Sequence, residues 1–534
     1  MGTQAERIQS DIETPAVTAN QQPDAGSAGI AVTDHGDAAD ADVAALATAT
    51  PRLAAQMVTT TQPAKVQEVS QSPPGSTQAL VATHRVVAGD TLTRIAEKYG
   101  VSVASLLRVN DLPNPDLLEV GQIITLPDPP IDYSPSFLIL PDSRLVRSIG
   151  AADFNIERFL QSRGGTLSQM TVVVTSRRPD GSMSSDGFAA SEIIERVSKE
   201  YSVDVRILLA FLEHFAGLVT QVSVDEETEL YPLLAPEETS RIDRAGLYAQ
   251  LSWLADRLNQ GYYGWKYRGE IVLELLDGSR LYYPPNLNAG TIAVQYALAQ
   301  MPRATEWRQD SSDSGIFRTY AELFGEPFAE EYEAVPADLR QPQLTLPFPR
   351  GETWRFTGGF HGGWGNGSAW SAVDFSPPAE ARPGGHCDTS SHPATAVARG
   401  SIARLDEGVV VLDLDEDSNE GTGWTILYLH VDYHDSLVEG QLVEAGNIIG
   451  YPSCLGGFTT ATHLHIARRF NGEWLPADCN RCPADVTVPP FVMSNWKVVG
   501  LESQLYQGFM VNELDNRSAV AEQGRFTSIN EISW

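Results

Sequence analysis

The run Ala461–Ile466, which reads Ala-Thr-His-Leu-His-Ile, most restricts what this chain can fold into. Its alternating pattern predicts a β-strand with His463 and His465 on the same face, because side chains change sides with a period of two. Two imidazoles on one strand face can serve a single zinc site, one as ligand and the other as a proton-transfer group. A solvated strand face shows the same pattern, so this run alone leaves both interpretations open.

Three residues upstream favour the zinc interpretation. His361 lies in a glycine-rich segment predicted to be a turn, Asp374 lies in the strand-like run Ala372–Ser376, and His430 ends a β-rich run. The chain has 10 histidines, and four of them lie in these segments, namely His361, His430, His463 and His465. Imidazole and carboxylate groups are common zinc ligands, so a shared site becomes the better interpretation.

From about Pro347 to Val498 the chain resembles zinc peptidases of the M23 type, the lysostaphin and β-lytic endopeptidase family. The match rests on the order and spacing of the segments Val373–Pro377, Ala394–Gly400, Tyr428–His430, Val438–Gly446 and His463–His465. The resemblance implies one zinc ion (Zn²⁺) per chain, held by His361, Asp374 and His465. It implies that His430 and His463 form a catalytic pair beside the metal.

One position departs from the commoner members of that family. They carry the first zinc-ligand histidine where this chain has Trp370, which cannot bind a metal. The β-lytic subgroup instead places that histidine about thirteen residues before the aspartate, and His361 stands at that separation from Asp374. Resemblance to this subgroup is what assigns His361 to the metal.

These residue types fit amide hydrolysis without a covalent intermediate. Three protein ligands leave a fourth zinc position for water, whose pKa zinc lowers from about 15.7 to roughly 7. Neutral histidines nearby can accept a proton and stabilise the developing oxyanion. The resemblance implies that the substrates are peptide stems or cross-bridges of bacterial peptidoglycan. Thr459, Thr460 and Thr462 are candidates for substrate contact, although turn chemistry explains them equally well.

The four cysteines all lie in the same region, at positions 387, 454, 479 and 482. An even number in one region predicts two disulfide bonds in an exported protein, with three possible connectivities. The β-lytic resemblance implies a bond that ends shortly before the histidine pair. We therefore favour Cys387–Cys454 together with Cys479–Cys482, and a metal site at Cys479 and Cys482 remains the alternative.

Composition limits the partners. The net charge of −32 at pH 7 argues against nucleic acid and against anionic surfaces. No run of apolar residues is long enough to predict a membrane-spanning helix. No signal peptide is visible at the N-terminus, so the export route stays open. We expect a monomeric bacterial protein that is extracellular or associated with the cell wall.

Residues 84–127 predict a strand, two helices and a strand. They resemble a LysM module, which implies binding of glycan that contains N-acetylglucosamine. The matching loop residues are Gly89, Asp90, Thr91, Leu92, Asn110, Leu112, Pro113 and Asn114. Asp90 and Asn110 have an alternative role, because short polar side chains also cap helices and hold turns.

The whole chain is predicted to have a multidomain α+β fold. Its parts are a disordered low-complexity leader (1–82), the βααβ LysM module (84–127), a Pro-rich linker (128–141), a mostly helical lysozyme-like domain (142–338), an antiparallel β-sheet peptidase domain (339–499) and C-terminal strands packed on the body (500–534). The leader has few large apolar residues and is not expected to fold alone.

The helical domain carries a third resemblance. Tyr201–Glu213 resembles the start of lysozyme-like lytic transglycosylases, but Phe215 stands where that family has its catalytic glutamate. Glu213 lies about 200° away round a helix and should not replace it. The resemblance therefore implies a non-catalytic domain that grips glycan, covers the peptidase as a pro-region, or acts as a helical spacer.

These features lead to one main hypothesis and one rival. The main hypothesis is an exported zinc endopeptidase that the LysM module anchors to peptidoglycan, since tethering raises the local substrate concentration. The rival is a catalytically inactive wall-binding protein that regulates or positions an amidase. A working glycan lyase is a third hypothesis, which Phe215 argues against.

Overall fold

The computed structural model describes residues 83–126, with gaps at 88, 100–102, 111, 113 and 115–116, and residues 132–534. Within 132–534 the gaps are 178–182, 237–243, 303–306, 379–386, 435, 458, 460, 502–503 and 525–526. The predicted leader, 1–82, lies outside the described residues. Contacts divide the chain into two compact units, whose described parts are 83–126 and 132–534.

Residues 83–126 form a small βααβ unit. The strand β1 (Thr83–Arg85) pairs antiparallel with β2 (Ile123–Thr125), and the helices α1 (Leu92–Tyr99) and α2 (Val103–Val109) lie between them in the chain. The core of this unit consists of Val86, Leu92, Ile95, Ala96, Leu106, Ile124 and Leu126. This order of elements is the one predicted for residues 84–127.

The first part of the larger unit is mostly helical. Its helices are α3 (Asp142–Leu145), α4 (Ile149–Ala152), α5 (Ile156–Arg163), α6 (Ala190–Tyr201), α7 (Val205–Ala216), α8 (Glu226–Leu230), α9 (Leu247–Arg268), α10 (Ala289–Ala299), α11 (Trp307–Asp310) and α12 (Ile316–Phe324). Two hairpins, which were not predicted, are β3 (Thr171–Arg177) with β4 (Met183–Ala189), and β5 (Val272–Glu274) with β6 (Arg280–Tyr282).

Helix α7 shows why this region is helical. Its side chains are apolar nearly all round, and most of them are buried. Such a helix is stable only inside a core, where neighbouring elements cover every face. Asp204 caps its N-terminus by accepting the Arg206 N–H, and Gly217 ends it at a φ of 65°. Glycine reaches this left-handed conformation without strain.

The predicted linker 128–141 is wrong over its second half. Residues 127–131 lie outside the described part, but Ile139 and Leu140 are fully buried in the helical core. The Ile139 N–H donates to Thr291 Oγ1 at 2.9 Å. The prolines suggested a linker. The apolar residues that follow them instead pack in the core of the helical region.

The second part of the larger unit is built on antiparallel sheets. The main sheet contains β7 (Trp354–His361), β8 (Ala372–Ser376), β10 (Gly400–Asp406), β11 (Val409–Asp413), β12 (Trp424–Leu429), β14 (Leu442–Val443), β16 (Leu464–Phe470), β17 (Glu473–Trp474) and β22 (Glu531–Ile532). Its order is β14-β10-β11-β12-β16-β8-β7-β22, with β17 beside β16. A three-stranded sheet holds β9 (Ala394–Thr395), β13 (Val431–Asp432) and β15 (Ile448–Pro452), and a four-stranded sheet holds β18 (Val492–Met493), β19 (Trp496–Leu501), β20 (Gln504–Asn512) and β21 (Ser518–Val520).

The two faces of the main sheet pack against different cores. Ile466 of β16 packs in the β-sheet core, whereas its neighbour Ala467 packs in the core of the helices. Buried polar contacts also join the two regions, since Glu473 accepts hydrogen bonds from Lys266 Nζ at 2.9 Å and from the Tyr262 hydroxyl at 3.0 Å. The predicted boundary at 338/339 therefore does not separate two compact bodies.

The predicted boundary at 499/500 falls inside β19. The C-terminal strands do pack on the body, because β22 pairs with β7 at the edge of the main sheet. The mixed α and β content with antiparallel sheets is thus confirmed, while these domain limits need correction. A core that continues through both regions leaves no break in pattern for the sequence to reveal.

Candidate functional site

Three neighbouring strands bring the predicted metal ligands together. His465 lies directly opposite Asp374 in the β16–β8 register, and Gly358 of β7 lies opposite Asp374 on the other side. Directly opposed residues of an antiparallel pair share one face of the sheet. His361 is the last residue of β7 and reaches the same place. The site therefore lies on interior strands of the main sheet, since β16, β8 and β7 each have a neighbouring strand on both sides.

The donor atoms of these three residues converge. His361 Nε2 and His465 Nδ1 are 3.0 Å apart, and each lies 3.3 Å from Asp374 Oδ1. His463 Nε2 lies 3.7 Å from the same oxygen. Zinc–ligand bonds of about 2.0–2.2 Å in a tetrahedral site separate neighbouring ligand atoms by about 3.3 Å. The three donors have this spacing.

The segment around His361 is a strand and not the predicted turn. Its glycines allow neighbouring strands to approach closely. A Cβ on Gly358 would lie 2.2 Å from Asp374 Oδ2, and a Cβ on Gly359 would lie 2.0 Å from the Gln507 carbonyl oxygen. The glycines were interpreted as turn formers, but here the lack of a side chain lets β8 and β20 pack against β7.

Backbone carbonyls orient all four histidines. A carbonyl oxygen only accepts, so the ring nitrogen facing it carries the hydrogen. The pairs are His361 Nδ1 with Gly359 at 2.8 Å, His430 Nδ1 with Leu455 at 2.8 Å, His463 Nδ1 with Ala461 at 2.9 Å and His465 Nε2 with Gly363 at 3.2 Å. When the rings are neutral, the other nitrogen of each presents a lone pair.

This arrangement fits a bound zinc ion. His361 Nε2 and His465 Nδ1 face each other with lone pairs, which repel unless a cation lies between them. Asp374 Oδ1 is buried and has no hydrogen-bond partner among the described residues, although buried carboxylate oxygens normally have one. A cation would satisfy all three atoms, and the carbonyls that hold the outer nitrogens are the support usually seen behind histidine ligands.

The pKa directions follow from burial and from the Asp374 charge. Burial would raise the pKa of Asp374, but the nearby His361 and His463 hold it well below its ordinary value. Burial would lower the pKa of His361, but the negative charge of Asp374 beside it raises that pKa. Burial lowers the pKa of His465. The ionised carboxylate suits a divalent cation, and binding of a cation would displace the proton that the raised pKa favours on His361.

His430 and His463 lie beside this centre as a pair. Their rings are 4.6 Å apart, and His430 lies 6.4 Å from His465. His430 adopts a φ of 64°, a conformation that is uncommon outside glycine and is concentrated at functional sites. Burial and the neighbouring histidines lower the pKa of His430 to about 3, so this ring is neutral at pH 7.

Tyr506 belongs to the site but was missed by sequence reasoning. Its ring stacks on His361 with centroids 4.3 Å apart and planes at 24°, and the residue is 38% exposed. It comes from β20, which the prediction assigned to C-terminal strands outside the peptidase domain. No local pattern links it to the histidines, because the contact depends on how β20 packs against Gly359 of β7.

Trp370 ties the two regions of the larger unit together. The Arg268 guanidinium of α9 lies 5.5 Å from its ring and the Arg481 guanidinium lies 5.6 Å from it. Phe360 packs on the same ring with centroids 5.1 Å apart. The position where commoner M23 peptidases carry a ligand therefore has a packing role in this chain.

The cysteines and threonines near the site make local contacts. The structure contains the disulfides Cys387–Cys454 and Cys479–Cys482, the favoured pairing. Thr459 donates to the Ala461 carbonyl at 2.9 Å and Thr462 donates to the Asp388 carbonyl at 2.7 Å. These bonds match the turn interpretation. Thr460 lies outside the described residues.

The glycan-binding residues predicted for the small unit have mixed surroundings. The Asn110 side-chain amide donates to the Thr125 carbonyl at 2.7 Å and accepts from the Thr125 N–H at 2.8 Å. Asp90 accepts the Val87 N–H at 2.8 Å. Both side chains therefore hold the fold. Leu92 is buried and Leu112 is half-buried, Gly89, Thr91 and Asn114 are exposed, and Pro113 lies outside the described residues.

In the helical region, Glu213 does not stand in for a missing acid. Its carboxylate accepts the N–H groups of Val219 at 2.9 Å and Thr220 at 3.1 Å. His214 lies between Asp310 Oδ1 at 3.1 Å and Thr319 Oγ1 at 3.0 Å.

None of the helices in the described part of the chain combines the length and apolar character that a membrane crossing requires.

Two family models match the chain. Residues 84–127 match the LysM domain, and residues 138–337 match the model described as LasA, N-terminal domain. The chain thus carries a LysM domain followed by a LasA-like N-terminal domain. The region that was predicted to be lysozyme-like is the one that the LasA model covers.

Individual relatives match parts of the chain. Protease LasA of Pseudomonas aeruginosa is 24% identical over 310 residues, which are 53% of this chain and 67% of the relative. The N-acetylmuramoyl-L-alanine amidase XlyA of Bacillus subtilis is 42% identical over 60 residues, or 11% of this chain and 20% of the relative. Among solved structures, the deep-sea M23 metalloprotease pseudoalterin aligns over 35% of this chain and 99% of its own, at 19% identity and a TM-score of 0.27.

Proposed function

We propose that this chain is an exported zinc endopeptidase of the M23 type that hydrolyses peptide bonds in the stems or cross-bridges of bacterial peptidoglycan. The observation that carries the proposal is the convergence of His361 Nε2, Asp374 Oδ1 and His465 Nδ1 within 3.0–3.3 Å of one another. These three residues would hold one zinc ion. The similarity to Protease LasA supports the peptidase class.

The histidine pair provides the proton chemistry. A zinc ion held by His361, Asp374 and His465 would supply Lewis acidity, which would polarise the scissile carbonyl and acidify water. His463 Nδ1 is committed to the Ala461 carbonyl, so protons exchange at Nε2, which faces the centre. His463 accepts a proton there and returns it to the leaving amine. The low pKa of His430 suits a hydrogen-bond acceptor that orients water and leaves proton uptake to His463.

The LysM domain supplies the second half of the proposed function. It would hold glycan that contains N-acetylglucosamine, keeping the peptidase close to its peptide substrates. Asp90 and Asn110 are engaged with the backbone of the module, so we assign glycan contact to the exposed loop residues Gly89, Thr91 and Asn114. Action on peptidoglycan places the protein outside the cell or at its wall.

One experiment tests the zinc site and the reaction together. The purified full chain, His465→Ala and the exposed control His434→Ala are compared for zinc content and for release of amino groups from peptidoglycan. We expect one zinc per chain and amine release in the wild type and the control, and loss of both in His465→Ala. Circular dichroism confirms that all three proteins are folded.

A different outcome would overturn the proposal. If the wild type binds peptidoglycan but holds no zinc and releases no amines, the chain is not a peptidase. The rival, a catalytically inactive wall protein that positions an amidase, would then be the better account. Release of reducing sugar ends without amines would instead indicate glycan cleavage.

A further inference from the structure

The hairpin loop between β11 and β12 gathers three carboxylates far along the sheet from the histidines. Asp413, Asp415 and Asp417 occupy alternate positions, and their carboxylate oxygens lie within 4.8 Å of one another. Asp413 is fully buried at the end of β11, and the other two are exposed. Carboxylates this close repel one another when all are ionised, and a bound cation would offset that repulsion.

No basic side chain in the described part of the chain forms an ion pair with these three residues. Two arginines form ion pairs with other acidic residues of this region. Arg399 pairs with Glu416 at 2.7 Å, and Arg404 pairs with Glu420 at 2.7 Å. Burial and the adjacent Asp415 raise the pKa of Asp413 to about 7. Among the described residues the cluster accepts hydrogen bonds, from the Ser418 N–H to Asp413 Oδ2 at 2.8 Å and from the Thr422 hydroxyl to Asp417 Oδ2 at 2.8 Å, but no ion pair supplies it with positive charge.

An independent observation comes from the next strand. The Thr425 hydroxyl of β12 is fully buried and has no hydrogen-bond partner among the described residues. Thr425 lies directly opposite Asp413 in the antiparallel register, so both side chains project from the same face of the sheet. A buried hydroxyl without a partner is rare, and this one belongs to the cross-strand neighbour of Asp413, the buried member of the carboxylate cluster.

We propose that this loop binds one calcium ion through Asp413, Asp415, Asp417 and Thr425. All of the donors are oxygens, and calcium is bound by about six to eight oxygen ligands supplied by carboxylates, hydroxyls, carbonyls and water. Zinc favours the nitrogen donors of the histidine centre. The two sites therefore select different metals.

The calcium site would secure the end of the main sheet. The same loop carries Glu420, which pairs with Arg469 of β16, the strand that contains His465. It also leads into β12, whose last residue precedes His430. Binding of calcium would hold the loop without taking part in peptide hydrolysis, so its effect should appear in thermal stability.

Terbium luminescence tests the site in the zinc-loaded full chain. Trp424, the first residue of β12, stands at the end of the loop and serves as the sensitiser. We expect emission that calcium displaces and magnesium does not, with one ion per chain. Asp415→Asn should weaken calcium binding at least tenfold. Asp338→Asn, which removes an exposed carboxylate elsewhere, should bind as the wild type does.

Thermal unfolding provides a second measurement. Calcium should raise the Tm of the wild type and of Asp338→Asn, and should leave the Tm of Asp415→Asn unchanged. The absence of displaceable emission in the wild type would overturn the proposal. So would equal calcium binding, or an equal rise in Tm, in wild type and Asp415→Asn.

Discussion

The proposed metal centre and the end of α7 both place histidine and carboxylate side chains together, but with opposite results. At the centre, carbonyls occupy the outer nitrogens of His361 and His465, so that lone pairs and Asp374 Oδ1 face one another. At α7, the Glu213 carboxylate is used by the backbone N–H groups of Val219 and Thr220. Both clusters contain the same residue types. They differ in whether the backbone already occupies the carboxylate and the inward-facing ring nitrogens, and only a cluster whose inward-facing atoms are unoccupied can bind a metal.

The largest expected effect is on the rate of peptide hydrolysis, when one histidine of the proposed metal centre and one histidine of α7 are each replaced by alanine in separate variants. His463→Ala should lower peptide hydrolysis by about 10²–10⁴-fold, the range for loss of a general acid–base group, while one zinc per chain is retained. His214→Ala should hydrolyse peptidoglycan within twofold of the wild type. Amine-release rates and zinc content measure both. Equal losses in the two variants would remove the contrast between the regions.

A second test concerns the ring that covers His361. Tyr506→Ala removes the stacked ring and should weaken zinc affinity by about tenfold, the lower end for groups that support metal ligands. Tyr506→Phe keeps the ring and should bind zinc as the wild type does. Competition with a chromogenic chelator gives the affinities. Unchanged affinity in Tyr506→Ala would mean that stacking does not position His361.

The third test asks whether Glu213 is structural. Glu213→Ala leaves two N–H groups without their acceptor and should lower the free energy of unfolding by about 1–2 kcal/mol. Glu322→Ala, on the exposed side of α12, should change it by less than about 0.5 kcal/mol. Urea unfolding compares the two. Hydrolysis should be normal in both, and a loss of activity in Glu213→Ala would give this carboxylate a catalytic role.

The smallest effect is a pH dependence at α8. Backbone and side-chain hydrogen bonds from Thr228 lower the pKa of Asp225. Because the folded pKa is depressed, the stabilisation is complete above the unfolded value of about 3.9 and is lost as pH falls through the lower folded value. Carboxyl NMR titration of Thr228→Val should move the pKa of Asp225 upward, but not fully, since the backbone bond remains. A pKa that does not move would assign the shift to the backbone bond alone.

Sequence reasoning located His361, Asp374, His430, His463 and His465 because spacing and resemblance to a known family do not depend on packing. It misjudged the glycines around His361, which serve close approach between strands. It also treated residues 128–141 as linker, although Ile139 and Leu140 are buried. Turn glycines and packing glycines look the same in a sequence, since both replace a side chain with hydrogen.

The sequence by itself determined the βααβ order of residues 84–127, the helical character of 142–338 and the residues of the histidine site. These depend on local periodicity and on short motifs. Only the tertiary structure decided that one face of the main sheet packs in the core of the helices, that Tyr506 covers His361, and that Thr425 lies opposite Asp413. Such contacts join residues far apart in the chain, and they form because buried surfaces must fit one another.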